Sequence, residues 1–331
     1  MRSYLLASFA MLCFSLAPFA ALAQDIHVQV SKQYKLSPDD AYHFPTIMNA
    51  LDHAPDVPPG ARLYIEIAPG TYAERIYVSH DRPRTTLVGI GKDPSDVVIT
   101  AAQNVKTAQS TFFSETMEIL ADDFQADNLT VENAAGATGQ ALAVSVTADR
   151  TIFKRCRLLG YQDTVFAQYG RQYYTDTYIS GAVDFLFGNA PAVFDHSEIH
   201  ATAPGYLTAQ GRTNATQPTG YVIVNSKLTH DAIPEGRSLL LGRAWRSYAR
   251  VVIMHSEIAA GFDPRGWNNW GKDTKNIDYA EYENTGPGAD TTGRVSWMHK
   301  LTAAEAQAYE PKNFLAGDDH WNPEAVAAKM P

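Results

Sequence analysis

The chain has 331 residues, 45% of them hydrophobic and 19% charged, which is ample for a full core and too apolar for a disordered polymer. Lys plus Arg is 27 against 36 Asp plus Glu, a formal charge of −9, which argues against the basic face of a nucleic-acid binder and disfavours a polyanionic partner. Two cysteines exclude a disulfide framework.

In chain order, residues 1–23 come first. Arg2 supplies a positive start, Leu5 to Leu22 is an apolar run broken by small polar residues and Pro18, and Ala21-Leu22-Ala23 is an A-x-A exit. This is the pattern of a cleavable export signal, with cleavage expected after Ala23. Residues 24–331 then form one domain, secreted or periplasmic, with no membrane attachment after cleavage. Loss of Arg2 leaves the mature chain one unit more acidic, and loss of Cys13 leaves Cys156 without a disulfide partner.

Tyr42 to Ala54 places Phe44, Ile47, Ala50 and Leu51 at helical spacing. Strand-like runs follow at Leu63–Ile67, Ile76–Val78, Thr86–Ile90 and Val97–Ile99, each bounded by Gly, Pro, Asp or Ser. From residue 120 a short pattern recurs: large apolar, two residues, small polar, one residue, Ile or Leu. The copies are Phe124/Asp127/Leu129, Phe153/Cys156/Leu158, Tyr174/Thr177/Ile179, Phe194/Ser197/Ile199, Ile223/Ser226/Leu228 and Ile253/Ser256/Ile258. Periods of 20 to 30 residues indicate a solenoid. Each copy is β-branched and aromatic, so the repeated unit is strand. The two apolar anchors are five positions apart, and in a straight strand they would face opposite ways. A bend between them turns both inward, which describes the rungs of an all-β, parallel β-helix. Near the end, Thr302-x-x-Glu305 opens a short helix with a capping box.

Three segments concentrate the chemistry: Gly160-Tyr161-Gln162-Asp163-Thr164, Gly181 to Gly188 containing Asp184, and Leu241-Gly242-Arg243-Ala244-Trp245. Asp163 and Asp184 follow repeat copies that end at Leu158 and Ile179, so they fall at one phase of adjacent rungs, roughly 4.8 Å apart in the backbone. Carboxylates that close favour one protonated and one ionised member. Asp184 lies among Val183, Phe185, Leu186 and Phe187, a setting that demands a partner, and the guanidinium of Arg243 is a candidate. Each segment alone also reads as a turn, a satisfied structural group or simple packing; the shared register is what favours a site. His196, His200 and His255 sit beside repeat copies and read as structural or solvent-facing.

On these residues the sequence resembles the pectin methylesterase family. Gly70-Thr71-Tyr72-x-Glu74, Thr111-Phe112-x-Ser114-x-Thr116, Asn133-Ala134-Ala135-Gly136, Gln140-Ala141-Leu142-Ala143, the three segments above, Gly266-Trp267-x-x-Trp270, Glu281-Tyr282-x-Asn284-Thr285-Gly286-x-Gly288 and Gly293-Arg294-Val295-x-Trp297 follow in the family's order. The resemblance implies a single-stranded right-handed parallel β-helix with short terminal helices. It implies hydrolysis of the C6 methyl esters of homogalacturonan (pectin), giving pectate and methanol. It places the nucleophile at Asp184, the general acid and base at Asp163, and oxyanion donors at Gln140 and Gln162. Arg243 would hold the nucleophile, with Thr111, Gln140, Phe187, Arg243 and Trp245 touching substrate. No cofactor and no metal are implied, and a monomer is expected. Trp267 and Trp270 are left undecided between core and substrate.

Departures from the family pattern are few. Ala244 stands where many relatives have Pro, which implies a looser Trp245, and Thr177 stands where plant relatives have the cysteine that would pair with Cys156. Without that bridge, burial and backbone ladders are expected to hold the rungs. Asn128-Leu129-Thr130 and Asn214-Ala215-Thr216 fit a glycan acceptor pattern to which no function is assigned. Other readings are another polygalacturonate enzyme with this fold, a lyase or a hydrolase, or a non-catalytic glycan-binding β-helix. Neither enzyme explains Gln140 and Gln162 together with Arg243. The acidic balance fits a methyl-esterified, largely uncharged polymer, whose demethylated product an acidic protein would release.

Overall fold

The computed structural model describes residues 24–331, so the export segment read at 1–23 lies outside the described residues. The β-rich runs pair in parallel, rung upon rung, as Phe153 with Tyr174, Tyr174 with Phe194, Phe194 with Ile223 and Ile223 with Ile253. One face of the coil is a 12-stranded sheet, and the other strands join a 14-stranded sheet that bends into two arms. Strands such as Tyr178–Gly188 and Glu198–Gln210 run through that bend, so a single long strand serves both arms. The short strands Met117–Ile119, Val144–Thr147 and Val165–Tyr169 form the arm that carries the chemistry.

The bend expected between the two anchors is present. Asn128, Arg155, Asp176, His196, Asn225 and His255 all adopt left-handed φ values, between 48° and 55°. This one residue per rung turns the chain so that Phe153 and Leu158, Tyr174 and Ile179, and Phe194 and Ile199 all point into the core. Inside, Phe153 stacks on Tyr174 at 5.2 Å and Tyr174 on Phe194 at 4.8 Å.

The first repeat copy requires a correction of phase. Phe153 pairs with Ala126 and Leu158 with Val131, so the equivalent residues are Ala126, Leu129 and Val131 rather than Phe124, Asp127 and Leu129. Phe124 is also fully buried and its ring lies 6.1 Å from that of Phe153, so it fills the aromatic column from two positions upstream.

The small polar position of the repeat also does more than expected. The Cys156 N–H donates to Thr177 Oγ1 (3.4 Å), Thr177 N–H to Ser197 Oγ (3.1 Å), Ser197 N–H to Ser226 Oγ (3.0 Å) and Ser226 N–H to Ser256 Oγ (3.1 Å). Each of these four hydroxyls then donates to the carbonyl two residues before it. The rungs are therefore linked by a buried side-chain ladder at the corner, in addition to burial and the backbone ladders. Such bonds matter because an unpaired buried N–H at a corner is costly.

The first helix is shorter than its apolar spacing suggests, Ile47–His53. Thr46 caps it, and the two oxygens of Glu74 accept the N–H groups of Ile47 and Met48, which explains the Gly-x-Tyr-x-Glu segment. The Thr302–Glu305 capping box is present at the helix Ala303–Ala306. Asn128 donates its amide to the carbonyls of Gly89 and Gly91, a structural use of one glycan-like site. No described helix is long and apolar enough to cross a membrane.

Candidate active site

Asp163 and Asp184 each stand two residues before a paired position, Val165 and Leu186, so they occupy one row on adjacent rungs. Both have left-handed φ, 65° and 52°, the same turn made twice. Glycine precedes each turn because a Cβ at Gly160 would lie 2.6 Å from Thr164 Oγ1, and one at Gly181 would lie 2.3 Å from Phe185 Cβ. Gln140 bridges Gln162 in parallel one rung apart, which places the two amide side chains beside the carboxylates.

These residues line a cleft of about 310 Å³ together with Thr111, Phe187, Arg243 and Trp245. All the sequence-predicted site residues thus converge on one place. Asn133 supports it from behind: its amide donates to the carbonyls of Gln103, Ser114 and Leu142, each at 2.9 Å. Ser114 in turn donates to the Thr111 carbonyl at 2.6 Å, which fixes the turn that carries Thr111.

The two carboxyl groups differ in their surroundings. Arg243 donates to both oxygens of Asp184, Nε to Oδ1 at 2.8 Å and Nη2 to Oδ2 at 2.5 Å. Burial raises the Asp184 pKa, and the paired hydrogen bonds and charge of Arg243 oppose that rise. No ion pair forms at Asp163 among the described residues. Burial first, and then the charge of Asp184, push it up to about 8, against a weaker opposing pull from Arg243. With both oxygens of Asp184 held by Arg243 and Asp163 pushed up to about 8, the pair favours keeping its proton on Asp163.

Arg243 is itself held between two rings. Its guanidinium carbon lies 3.6 Å from the Trp270 ring centroid and 4.3 Å from that of Tyr206. This separates the two undecided tryptophans. Trp267 is core, 2% exposed, with Nε1 donating to Glu281 at 2.9 Å. Trp270 is 40% exposed and lines the cleft. Tyr206, Phe112 and Trp270 are the site residues that sequence reading does not assign. Trp270 is visible in it only as an undecided partner of Trp267.

Ala244, which precedes Trp245, makes a backbone bond of its own. Ala244 is fully buried and its N–H donates to the Asn268 carbonyl at 3.0 Å, a bond that proline lacks. Trp245 meets Phe187 edge-on at 5.8 Å, Phe187 stacks on Phe166 at 4.6 Å, and Phe166 meets Phe112 at 4.9 Å. The cleft thus carries a run of aromatic faces beside a carboxyl pair, a guanidinium and two amides. That combination suits an uncharged sugar chain and an acyl-transfer step. Cys156 is buried with its thiol pushed up to about 12, and stands outside the cleft chemistry.

Comparison with known proteins agrees with this picture. The family model described as Pectinesterase matches residues 34–318. A pectinesterase of Daucus carota is 37% identical over 305 residues, covering 87% of this chain and 94% of that protein. A pectinesterase/pectinesterase inhibitor of Solanum lycopersicum is 39% identical over 303 residues, and there the chain spans about half of the relative's length, 52%. The solved structure of pectin methylesterase from carrot superposes with a TM-score of 0.83 at 32% identity, covering 97% of this chain and 98% of that one.

Proposed function

The chain belongs to the pectinesterase family, and from that premise we propose that it hydrolyses the C6 methyl esters of homogalacturonan. The observation that carries the reading is the unequal carboxyl pair: Asp184 is bound by Arg243 through both oxygens, while Asp163, one rung away, has no ion pair among the described residues.

Asp184, ionised and oriented by the Arg243 fork, attacks the ester carbonyl. Negative charge develops on the carbonyl oxygen, where the amides of Gln140 and Gln162 donate; preorganised donors of this kind are each worth about 3 kcal/mol. Asp163 gives its proton to the departing methoxide, which leaves as methanol. An anhydride now joins the uronate to Asp184. Asp163, ionised, takes one proton from water as that water attacks the uronyl carbon of the anhydride; the Asp184 carboxylate is regenerated, Asp163 is protonated again, and the released uronic acid gives its remaining proton to solvent. Thr111, Phe187 and Trp245 position the sugar. Export would bring such an enzyme to an extracellular or periplasmic substrate.

Methanol release from highly methylated pectin tests this reading. The protein releases methanol, and Asp184→Ala and Asp163→Ala each lose most of the rate. Unsaturated or reducing ends without methanol would reject the esterase reading in favour of a lyase or a glycoside hydrolase.

A further inference from the structure

Arg243 and Asp184 do not sit on neighbouring strands. Asp184 is on the strand Tyr178–Gly188 and Arg243 ends the strand Leu239–Arg243. The strand Glu198–Gln210 runs between them and pairs with both. The fork on Asp184 therefore crosses two strand spacings, roughly 9.6 Å of backbone separation. An arginine reaches that far only when extended, and a long side chain on an open face has many other rotamers to occupy. The guanidinium needs a support to stay on the carboxylate.

Tyr206, on the intervening strand, is placed to give it. Tyr206 pairs on one side with Val183, the residue before Asp184, and on the other with Leu240, three residues before Arg243. Between the pairs Val183–Tyr206 and Leu186–Thr208, the nucleophile's strand has two residues, Asp184 and Phe185, where its neighbour has one, Leu207. Asp184, with φ of 52°, thus lies in a bulge that opens at the Tyr206 pair. Gly205 permits the close approach, since a Cβ there would lie 2.3 Å from the Ala182 carbonyl oxygen. The two rings on Arg243 are not equivalent. Trp270 sits on a turn and lines the cleft. Tyr206 is half-buried within a strand, is not part of the cleft lining, and its hydroxyl makes no hydrogen bond among the described residues. Its ring meets Arg243 at 4.3 Å rather than the substrate.

We propose that Tyr206 is a positioning residue for the nucleophile: its ring holds Arg243 extended across the intervening strand, so that the fork stays closed on Asp184. This rests on the esterase reading for what Asp184 does. A flat cation stacked on a ring keeps only its in-plane N–H groups free to donate, and here Nε and Nη2 both donate to Asp184. Without the ring the guanidinium can rotate off the carboxylate and take water instead. The charged groups that face Asp184 are Asp163 and Arg243, and the fully buried Tyr279 feels its charge from inside the coil. Of these only Arg243 favours the ionised form of Asp184, so loosening it weakens the nucleophile without touching the sugar.

The test is methanol release from methylated pectin by the full mature chain, read as kcat and KM across pH. Tyr206→Leu lowers kcat at pH 6 by about 3- to 20-fold and moves the acid limb to higher pH, while KM stays within about 2-fold. Tyr206→Phe keeps the ring and rescues both kcat and the acid limb. In an Arg243→Gln background Tyr206→Leu costs less than about 2-fold more, because what the ring holds is already gone. Independently of turnover, NMR titration of the Asp184 carboxyl carbon shows a pKa raised by Tyr206→Leu and restored by Tyr206→Phe. Should Tyr206→Leu not fold, Tyr206→Met takes its place in each measurement. An acid limb and an Asp184 titration that do not move overturn the proposal, as does an undiminished loss in the Arg243→Gln background. Failure of the wild type to release methanol rejects the esterase reading instead, and the Asp184 titration still decides the role of Tyr206.

Discussion

Replacing Asp163 by asparagine separates the proton that this residue holds from the space it fills. In the folded protein Asp163 keeps its proton up to about 8, against 3.8 for the ordinary group. Between those values the folded state binds a proton that the unfolded state has lost. Stability must then fall as pH rises through that window, by up to about 1.4 kcal/mol per pH unit for this one group. From pH 5 to pH 8 the full effect is roughly 3–4 kcal/mol, and water entering the open cleft reduces it to about 2–4 kcal/mol. A side-chain amide does not titrate in this range, so Asp163→Asn gains stability relative to wild type by that amount as pH rises. Urea unfolding of both proteins at pH 5 and pH 8 measures the difference directly. Parallel pH profiles for the two proteins would refute the reasoning, because they would mean that Asp163 titrates alike folded and unfolded. The same proton sets activity: methanol release declines as pH passes about 8, where Asp163 loses the proton it must donate.

Other outcomes follow from the same geometry. Arg243→Gln removes what opposes the burial of Asp184, so the Asp184 pKa rises, the acid limb of the pH–rate profile moves to higher pH, and methanol release at pH 6 falls by on the order of 100-fold. Trp270→Ala frees one face of Arg243; losing that ring contact lowers stability in urea by about 0.5–2 kcal/mol, and methanol release falls several-fold because the fork on Asp184 is less firmly held. Asn133→Ala leaves the Gln103 and Ser114 carbonyls without this donor, while Leu142 keeps the Thr116 N–H, and costs about 1–3 kcal/mol in urea unfolding; a cost below about 0.5 kcal/mol would show that the clamp is dispensable. Thr177→Val keeps the shape but breaks the corner ladder at both of its bonds, and lowers stability by about 1–3 kcal/mol in the same assay.

The site was unusually legible because a solenoid converts sequence spacing into spatial register. Residues 21 apart, Asp163 and Asp184, become neighbours on adjacent rungs, as do Val165 and Leu186. The corner residues were legible for a related reason: two inward anchors five apart require a turn, and one left-handed residue supplies it. Where a local cue was ambiguous, the reading slipped. Phe124 looks like the anchor of its copy, but Ala126 holds that register and Phe124 fills the core from a neighbouring position. Hydrophobicity reports burial, and here burial occurs at two phases.

The amino-acid sequence by itself determined the coil, the order of its rungs and the pairing of Asp163 with Asp184, because these depend on period and residue type; Gln140 and Gln162 were implied by the family resemblance, not by spacing. Tertiary structure alone decided which tryptophan stays in the core and which lies over Arg243, since Trp267 and Trp270 are three residues apart and similar in composition around them. It alone decided that Tyr206 closes the other side of that guanidinium, and that the corner hydroxyls join into one ladder. These are contacts between rungs, set by where side chains point once the coil has closed. No spacing along the chain encodes that direction.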